Sequence, residues 1–310
     1  MAAHHADAFR DLDGCAVVAI AGRNPDTGRK LAKRHDVPLT TNWTEAVQRS
    51  DVDAVVVCTH NESHAEIAMA AIRSGKHVLT EYPIARSIEQ GDRLREALRE
   101  SGKVLRVTHE PAFSKAQSAV HDRIAALGDL ITAIFVRLTP GRGRRPEVLF
   151  NLEVSGPPAL FFVGHIYPLI DLFGPAAWVE GAAEYVGLDA QNRYERFANS
   201  VTVGFQRGGL AHWIWAGGIQ IGEAEEFQRI VFTGGTLIRD GQNWKISTAD
   251  GVGAIDTARQ NEPSVQKQFL LDLNSENRQW LKNTEAAFDA ARIGLSAEIS
   301  ARENRRVLIR

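Results

Sequence analysis

The sequence predicts an α/β protein of two domains: residues 1–110 form a parallel sheet wound with helices, and residues 111–310 an α+β domain built on a large, mostly antiparallel sheet. Three observations carry this. The chain has 310 residues, more than one hydrophobic core holds comfortably. Up to about Pro111, short apolar runs alternate with helical stretches, the pattern of parallel strands joined by crossover helices. Beyond it, several segments alternate apolar and polar residues between Gly-Gly pairs, as in an antiparallel sheet covered on one face.

Taken in order, residues 2–12 read as the later part of a helix, with Phe9 and Leu12 on one face. Residues 16–21 (AVVAIA) form a fully apolar run ending at Gly22 and are expected to be a buried parallel strand. Helices follow over 27–35 and 43–48, then a second buried strand over 54–58 (AVVVC). An alanine-rich helix over 64–74 stops at Gly75, a strand covers 77–80, a helix over 88–101 stops at Gly102, and a strand covers 104–108. In the second domain a helix over 118–127 precedes strands over 131–138, 179–185, 200–205, 210–215, 227–233 and 244–247. Turns are expected at Gly208-Gly209, Gly217-Gly218 and Gly234-Gly235, and helices over 265–281 and 284–304 close the chain.

Composition excludes several function classes. Hydrophobic residues make up 44% and charged residues 24%, and the formal charge is -2, so no polyanion partner such as nucleic acid is expected. No apolar run approaches the ~18 residues of a membrane helix. The two cysteines, Cys15 and Cys58, give no disulfide framework and point to a reducing, cytoplasmic setting. The histidines lack metal-ligand spacing, so no metal is implied.

The stretch from Asp53 to Ala85 is the informative one: DAVVVCTHNESHAEIAMAAIRSGKHVLTEYPIA. It resembles the glucose-fructose oxidoreductase and inositol dehydrogenase family (Gfo/Idh/MocA). There a strand runs into a Thr-Pro-Asn turn, a His opens the next helix, and Gly-Lys-His-Val precedes Glu-Lys-Pro. The resemblance runs to the C-terminus. It implies a Rossmann-type nucleotide-binding domain, a nicotinamide cofactor and a homo-oligomer assembled through the C-terminal sheet. In the family the first strand leads into a Gly-x-Gly turn. Met1-Ala2-Ala3-His4-His5-Ala6-Asp7-Ala8-Phe9 aligns from just after that turn, so the first strand and the phosphate-cradling glycines are expected to be absent from this chain. Two explanations stand open: an internal Met read as the start, or a true loss with weakened nucleotide binding.

Further departures bear on chemistry. The family's Glu-Lys-Pro is Glu81-Tyr82-Pro83 here, which resembles the cyanobacterial-type biliverdin reductases within the family, as do His109 after its strand and the run from Pro157 to Gly174. Tyr82, with a hydroxyl pKa near 10, donates a proton or a hydrogen bond rather than taking one. His165 lies where the dehydrogenases keep an Asp-x-x-x-His pair, and Phe161 replaces the acid. A protonated His165 is expected to supply positive charge to the acceptor; the alternative is a core histidine.

The cofactor positions follow from the same alignment. Gly22-Arg23-Asn24 lacks the acid that holds a ribose 2′-hydroxyl, and Arg23 suits a 2′-phosphate instead, so NADPH is expected. The alternative for Arg23 is a solvated turn arginine. Thr59, His60, Asn61 and His64 stand on the carboxyl end of a parallel strand and by resemblance line the cofactor, with helix capping by Asn61 or Ser63 as the plainer reading. Glu81 by resemblance bonds the nicotinamide ribose, and His109 adds to the cofactor side. Arg142, Arg144 and Arg145 are candidates for gripping substrate carboxylates or form a solvated loop. Trp213, Trp215 and Trp244 read as sheet core or interface. The leading expectation is an NADPH-dependent oxidoreductase acting on a conjugated, carboxylate-bearing small molecule, biliverdin first. A sugar or cyclitol dehydrogenase and a non-catalytic binding or dimerising protein are the alternatives.

Overall fold

The computed structural model describes residues 1–109, 115–141, 147–241, 243–256, 263–275, 278 and 280–309. Two compact units result. The first comprises Met1–Thr108 with Pro263–Glu285, the second His109–Glu262 with Ala286–Arg310. Residues 263–285 therefore return to the unit that the sequence pattern confines to the N-terminal segment.

In chain order the first unit contains α1 (Ala2–Arg10), β1 (Ile20–Ala21), α2 (Pro25–His35), β2 (Leu39–Thr40), α3 (Trp43–Gln48), β3 (Ala54–Val57), α4 (His64–Arg73), β4 (His77–Thr80), α5 (Ile88–Ser101) and β5 (Leu105–Val107). Capping chemistry sets several boundaries. Asn24, Asn42 and Ser87 each accept backbone N–H bonds at a helix start, and Gly102 takes the left-handed conformation (φ 65°) that ends α5. All strand pairs are parallel, as expected, but they fall into two sheets, β1–β2 and β3–β4–β5.

This division corrects the expectation of two buried runs. Only Ile20 and Ala21 of the AVVAIA stretch pair as strand; Ala16 is exposed and residues 17–20 are half-buried. β3 is half-buried except at Val57, whereas β4 and β5, within the three-stranded sheet, carry fully buried Val78, Leu79 and Leu105. Strand pairing alone does not decide this: among the described residues β5, like β1 and β3, has a strand partner on one side only, yet it is buried throughout. An apolar run looks the same in sequence whether or not other elements pack over it.

The second unit begins with α6 (Lys115–Leu127) and β6 (Leu130–Pro140), followed by α7 (Leu152–Ser155), α8 (Pro158–Phe161) and α9 (Val163–Phe173). Strands β7 (Ala176–Val186), β8 (Arg196–Phe205), β9 (Leu210–Ile219), β10 (Glu225–Phe232), β11 (Gly235–Asp240), β12 (Asn243–Thr248) and β13 (Gly251–Ala254) come next. Then α10 (Val265–Leu273), which belongs to the first unit, α11 (Trp280–Glu303) and β14 (Val307–Leu308) complete the chain. The nine-stranded sheet runs β13-β12-β11-β10-β6-β9-β8-β7-β14, antiparallel except for the parallel pair β6–β9.

Gly208-Gly209 and Gly234-Gly235 make the expected turns. Gly217-Gly218 does not: both lie inside β9. A Cβ on Gly217 would stand 2.2 Å from the Phe197 ring, and one on Gly218 would stand 2.3 Å from the Glu195 carbonyl, so these glycines serve close approach of β8. One sheet face is packed, with Phe135, Trp213, Trp215, Ile230 and Leu237 fully or almost fully buried. The opposite face places Phe227, Val136 and Ile214 side by side across three strands, and Phe227 and Ile214 are exposed. Among the described residues no helix is long and apolar enough to cross a membrane.

Candidate active site

Ligand chemistry in open parallel sheets gathers at the carboxyl ends of the strands, and the expected cofactor residues of the first unit stand at such ends. The end of β1 presents Arg23, whose side chain is 74% exposed and whose guanidinium stands 3.9 Å from Glu62 beyond β3. That contact brings the ends of β1 and β3 together. Asn24 is committed to capping α2: its side-chain oxygen accepts from Asp26 N and Thr27 N at 2.9 and 3.1 Å. Thr59 and His60 are exposed at the end of β3, and Asn61 is half-buried. Ser63 makes no side-chain cap; its hydroxyl turns to the Thr59 hydroxyl (2.8 Å) and the His60 carbonyl (3.0 Å).

His64 is a strut. It is buried, with Nδ1 2.9 Å from the Pro83 carbonyl and Nε2 3.1 Å from the Thr59 carbonyl, and so ties the turn after β3 to the turn after β4. Glu81 sits in a network of comparable order. His5 of α1 bonds one carboxylate oxygen at 2.9 Å, and the Thr108 hydroxyl donates to the other at 2.6 Å. Gln266 of α10 donates to His5 Nδ1 at 3.0 Å, which leaves the ring proton on Nε2, aimed at Glu81. Burial pushes the Glu81 carboxyl upward, but these bonds outweigh it and hold it below the ordinary carboxylate range. Both Glu81 oxygens thus have protein partners. Tyr82 follows, 36% exposed, with a cis bond to Pro83. Burial pushes the nearby Cys58 thiol up to about 11, so it is no nucleophile at neutral pH.

In the second unit His109 is 2% exposed, stacked on Tyr167 with ring centroids 4.1 Å apart, and burial pushes its pKa down to about 3. It is a neutral packing group, unlike the cofactor contact expected from its place in the sequence. His165, half-buried at the start of α9, has a more specific setting. The Trp215 indole donates to its Nδ1 at 3.1 Å and the Trp213 indole to its carbonyl oxygen at 3.0 Å. Phe135 and Phe162 flank the ring at centroid distances of 4.6 and 5.2 Å. An indole N–H only donates, so Nδ1 is the acceptor and the ring proton sits on Nε2. That geometry sets an indole donor, not a carboxylate, against Nδ1, which is not the setting of the expected imidazolium. Phe161, where the dehydrogenases keep an acid, packs on Phe162 and Phe197.

The sequence reading missed the roles of Trp213 and Trp215. Their alternation along one strand was the available signal, since it sends both indoles from one face. It also missed Arg137 on β6, which pairs with Glu226 of β10 beside Arg239 of β11. Arg142, Arg144 and Arg145 lie outside the described residues. Among the described residues no group of three or more His, Cys, Asp or Glu side chains is placed to hold a metal.

Residues 1–109 match the profile of an oxidoreductase family with an NAD-binding Rossmann fold. Over that stretch the chain is similar to the Gfo/Idh/MocA oxidoreductases. The chain is 39% identical over 164 residues to a 1,5-anhydro-D-fructose reductase of Ensifer adhaerens, covering 48% of this chain and 49% of that one. It is 33% identical over 123 residues to a 4-carboxy-2-hydroxymuconate-6-semialdehyde dehydrogenase of a Sphingobium species, 39% of each chain. The chain thus spans half or less of the length of these curated relatives. In fold it is similar to a Synechocystis biliverdin reductase solved with biliverdin and NADP+, at a TM-score of 0.86 and 21% identity over 96% of this chain and 94% of that one.

Proposed function

We propose that the protein is an NADPH-dependent reductase of a conjugated, carboxylate-bearing small molecule, biliverdin being the first candidate. The observation that carries the reading is the character of the two groups at the reacting positions: the Tyr82 hydroxyl stands where the family keeps a lysine, and His165 is held with its proton on Nε2. Both donate. Neither takes a proton from an alcohol at neutral pH, so the pair suits reduction of an unsaturated acceptor.

The cofactor-side residues fit a phosphorylated dinucleotide. Arg23 is an exposed cation at the end of β1, where Gly22-Arg23-Asn24 carries no acid to hold a 2′-hydroxyl; among the described residues the acid within ion-pair reach of Arg23 is Glu62, at 3.9 Å. Thr59, His60 and Asn61 offer polar contacts at the end of β3. The nicotinamide supplies the hydride when bound. Glu81 keeps the strand end rigid next to Tyr82, in place of a direct ribose contact, since His5 and Thr108 occupy its oxygens. Tyr82 delivers the proton that balances the hydride, to a nitrogen or oxygen conjugated with the reduced carbon. The open sheet face with Phe227, Val136 and Ile214 would be covered by a second copy of the chain.

A second reading, reduction of a keto-sugar, is favoured by the identity to the 1,5-anhydro-D-fructose reductase over half the chain. NADPH carrying deuterium at both C4 positions separates them. Incubated with biliverdin, the protein should bleach the long-wavelength band and give a bilirubin-like product one deuterium heavier. Deuterium delivered to 1,5-anhydro-D-fructose but not to biliverdin would establish the second reading, and delivery to neither would remove both.

A further inference from the structure

We propose that Trp215 is a positioning residue that fixes His165 as a hydrogen-bond donor at Nε2, the reverse of the polarity that a carboxylate partner would impose. The proposal deepens the reading of His165 given above and rests on it for its catalytic consequence.

A neutral imidazole has one donor and one acceptor nitrogen, and the partner of the first decides the role of the second. A carboxylate against Nδ1 draws the proton there and leaves Nε2 a base. The family's Asp-x-x-x-His pair would allow that arrangement, but here the acid position is Phe161. The group actually on Nδ1 is the Trp215 indole at 3.1 Å, which can only donate. Nδ1 is therefore deprotonated and Nε2 carries the hydrogen. Protonating the ring would set two N–H groups against each other, so the contact holds His165 neutral as well as oriented.

The surroundings keep this arrangement in place. Trp213, two residues earlier on the same face of β9, donates to the His165 carbonyl at 3.0 Å and pins the main chain. Phe135 from β6 and Phe162 from the turn before α9 flank the ring, and Phe162 is itself packed on Phe197 of β8. Both tryptophans are fully buried, so their indoles are shielded from competing water. The charged groups on the facing strands are Arg137, cross-strand from Trp215, with Glu226 and Arg239 beside it. The titratable groups on α9 itself are Tyr167, stacked on neutral His109, and Asp171.

The consequence is chemical. A neutral Nε2–H can polarise a carbonyl, lactam or carboxylate oxygen of the acceptor without a charge that varies with pH, and it cannot act as the base for an alcohol.

The test is nitrogen NMR on the whole protein labelled with ¹⁵N-histidine, with the His165 signals assigned by their loss in His165→Gln. The expected result is an unprotonated Nδ1 and a protonated Nε2 throughout the range around the ordinary histidine pKa of about 6.5. Trp215→Phe keeps an aromatic ring and removes the N–H. In that variant the two tautomers should mix, the ring should titrate near the ordinary value, and turnover should fall roughly 2- to 10-fold, the worth of one net hydrogen bond, while gaining a pH dependence. A parent His165 that is protonated at Nδ1, or that titrates normally, overturns the proposal, and so does a Trp215→Phe spectrum indistinguishable from the parent's. The spectrum needs no substrate. A protein that reduces no bilin yet shows the Nε2–H signature refutes the acceptor and leaves the tautomer assignment standing.

Discussion

The strand ends of the first unit and the aromatic wall of the second hold their candidate residues by opposite means. At the strand ends the groups are polar and several are exposed: Arg23 reaches solvent, Thr59 and His60 line an open turn, and Glu81 is set by hydrogen bonds from His5 and Thr108. Around His109 and His165 the neighbours are rings, and burial or an indole decides the protonation state. The difference teaches where each kind of change should register. Substitution in the first region should alter ligand affinity with little effect on folding. Ionisation in the second should register as stability.

Arg23→Ala tests the first region, through affinity. A hydrogen bond between charged groups is worth about 1.5–3 kcal/mol, so NADPH should bind roughly ten- to a hundred-fold more weakly, with NADH affinity and denaturant midpoint nearly unchanged. Calorimetric titration with both nucleotides checks this. An equal loss for NADPH and NADH would assign Arg23 to the turn rather than to a 2′-phosphate.

His109 tests the second region, through stability. Its folded pKa is about 3, because burial disfavours the charged form. The unfolded chain takes up its proton near 6.5, so between those values the unfolded state binds more protons and stability falls as pH falls. The slope should reach about 1.4 kcal/mol per pH unit, and none of it should appear above the unfolded pKa. Urea unfolding of the parent and of His109→Phe, which preserves the stack on Tyr167, should diverge in slope across that window. Parallel profiles would show that His109 is protonated in the fold and that the aromatic region does not set its charge.

The two regions also differ in how far they were legible in the sequence. Helices with polar caps and glycine stops were placed closely: α3 and α5 match the expected bounds because Asn42, Ser87 and Gly102 punctuate them locally. Residues 16–21 were misjudged because burial of an apolar strand depends on what distant parts of the chain pack against it, which no local pattern records. Gly217-Gly218 failed for a related reason: a glycine needed for close approach of a neighbouring strand has the same letter as one needed for a turn. Among site residues, Tyr82 and His165 were found through their departures from a family pattern. The partners that define them chemically were hidden by sequence distance. Trp215 is 50 residues from His165, His5 is 76 from Glu81, and Gln266 is 261 from His5. Asn24, His64 and Glu81 were legible as positions, yet their side chains turn out to be occupied by capping, strut and clamp contacts.

The central claim is that Tyr82 serves as the proton donor in place of the family's lysine, and Tyr82→Phe tests it most directly. Its ring should fill the same space, so binding of NADPH and acceptor should persist. Turnover with NADPH and biliverdin should fall roughly ten- to a thousand-fold, within the range general acid–base catalysis supplies, and the loss should sit in kcat rather than KM. Turnover within about two-fold of the parent would contradict the account, since a proton donor cannot be removed at so small a cost.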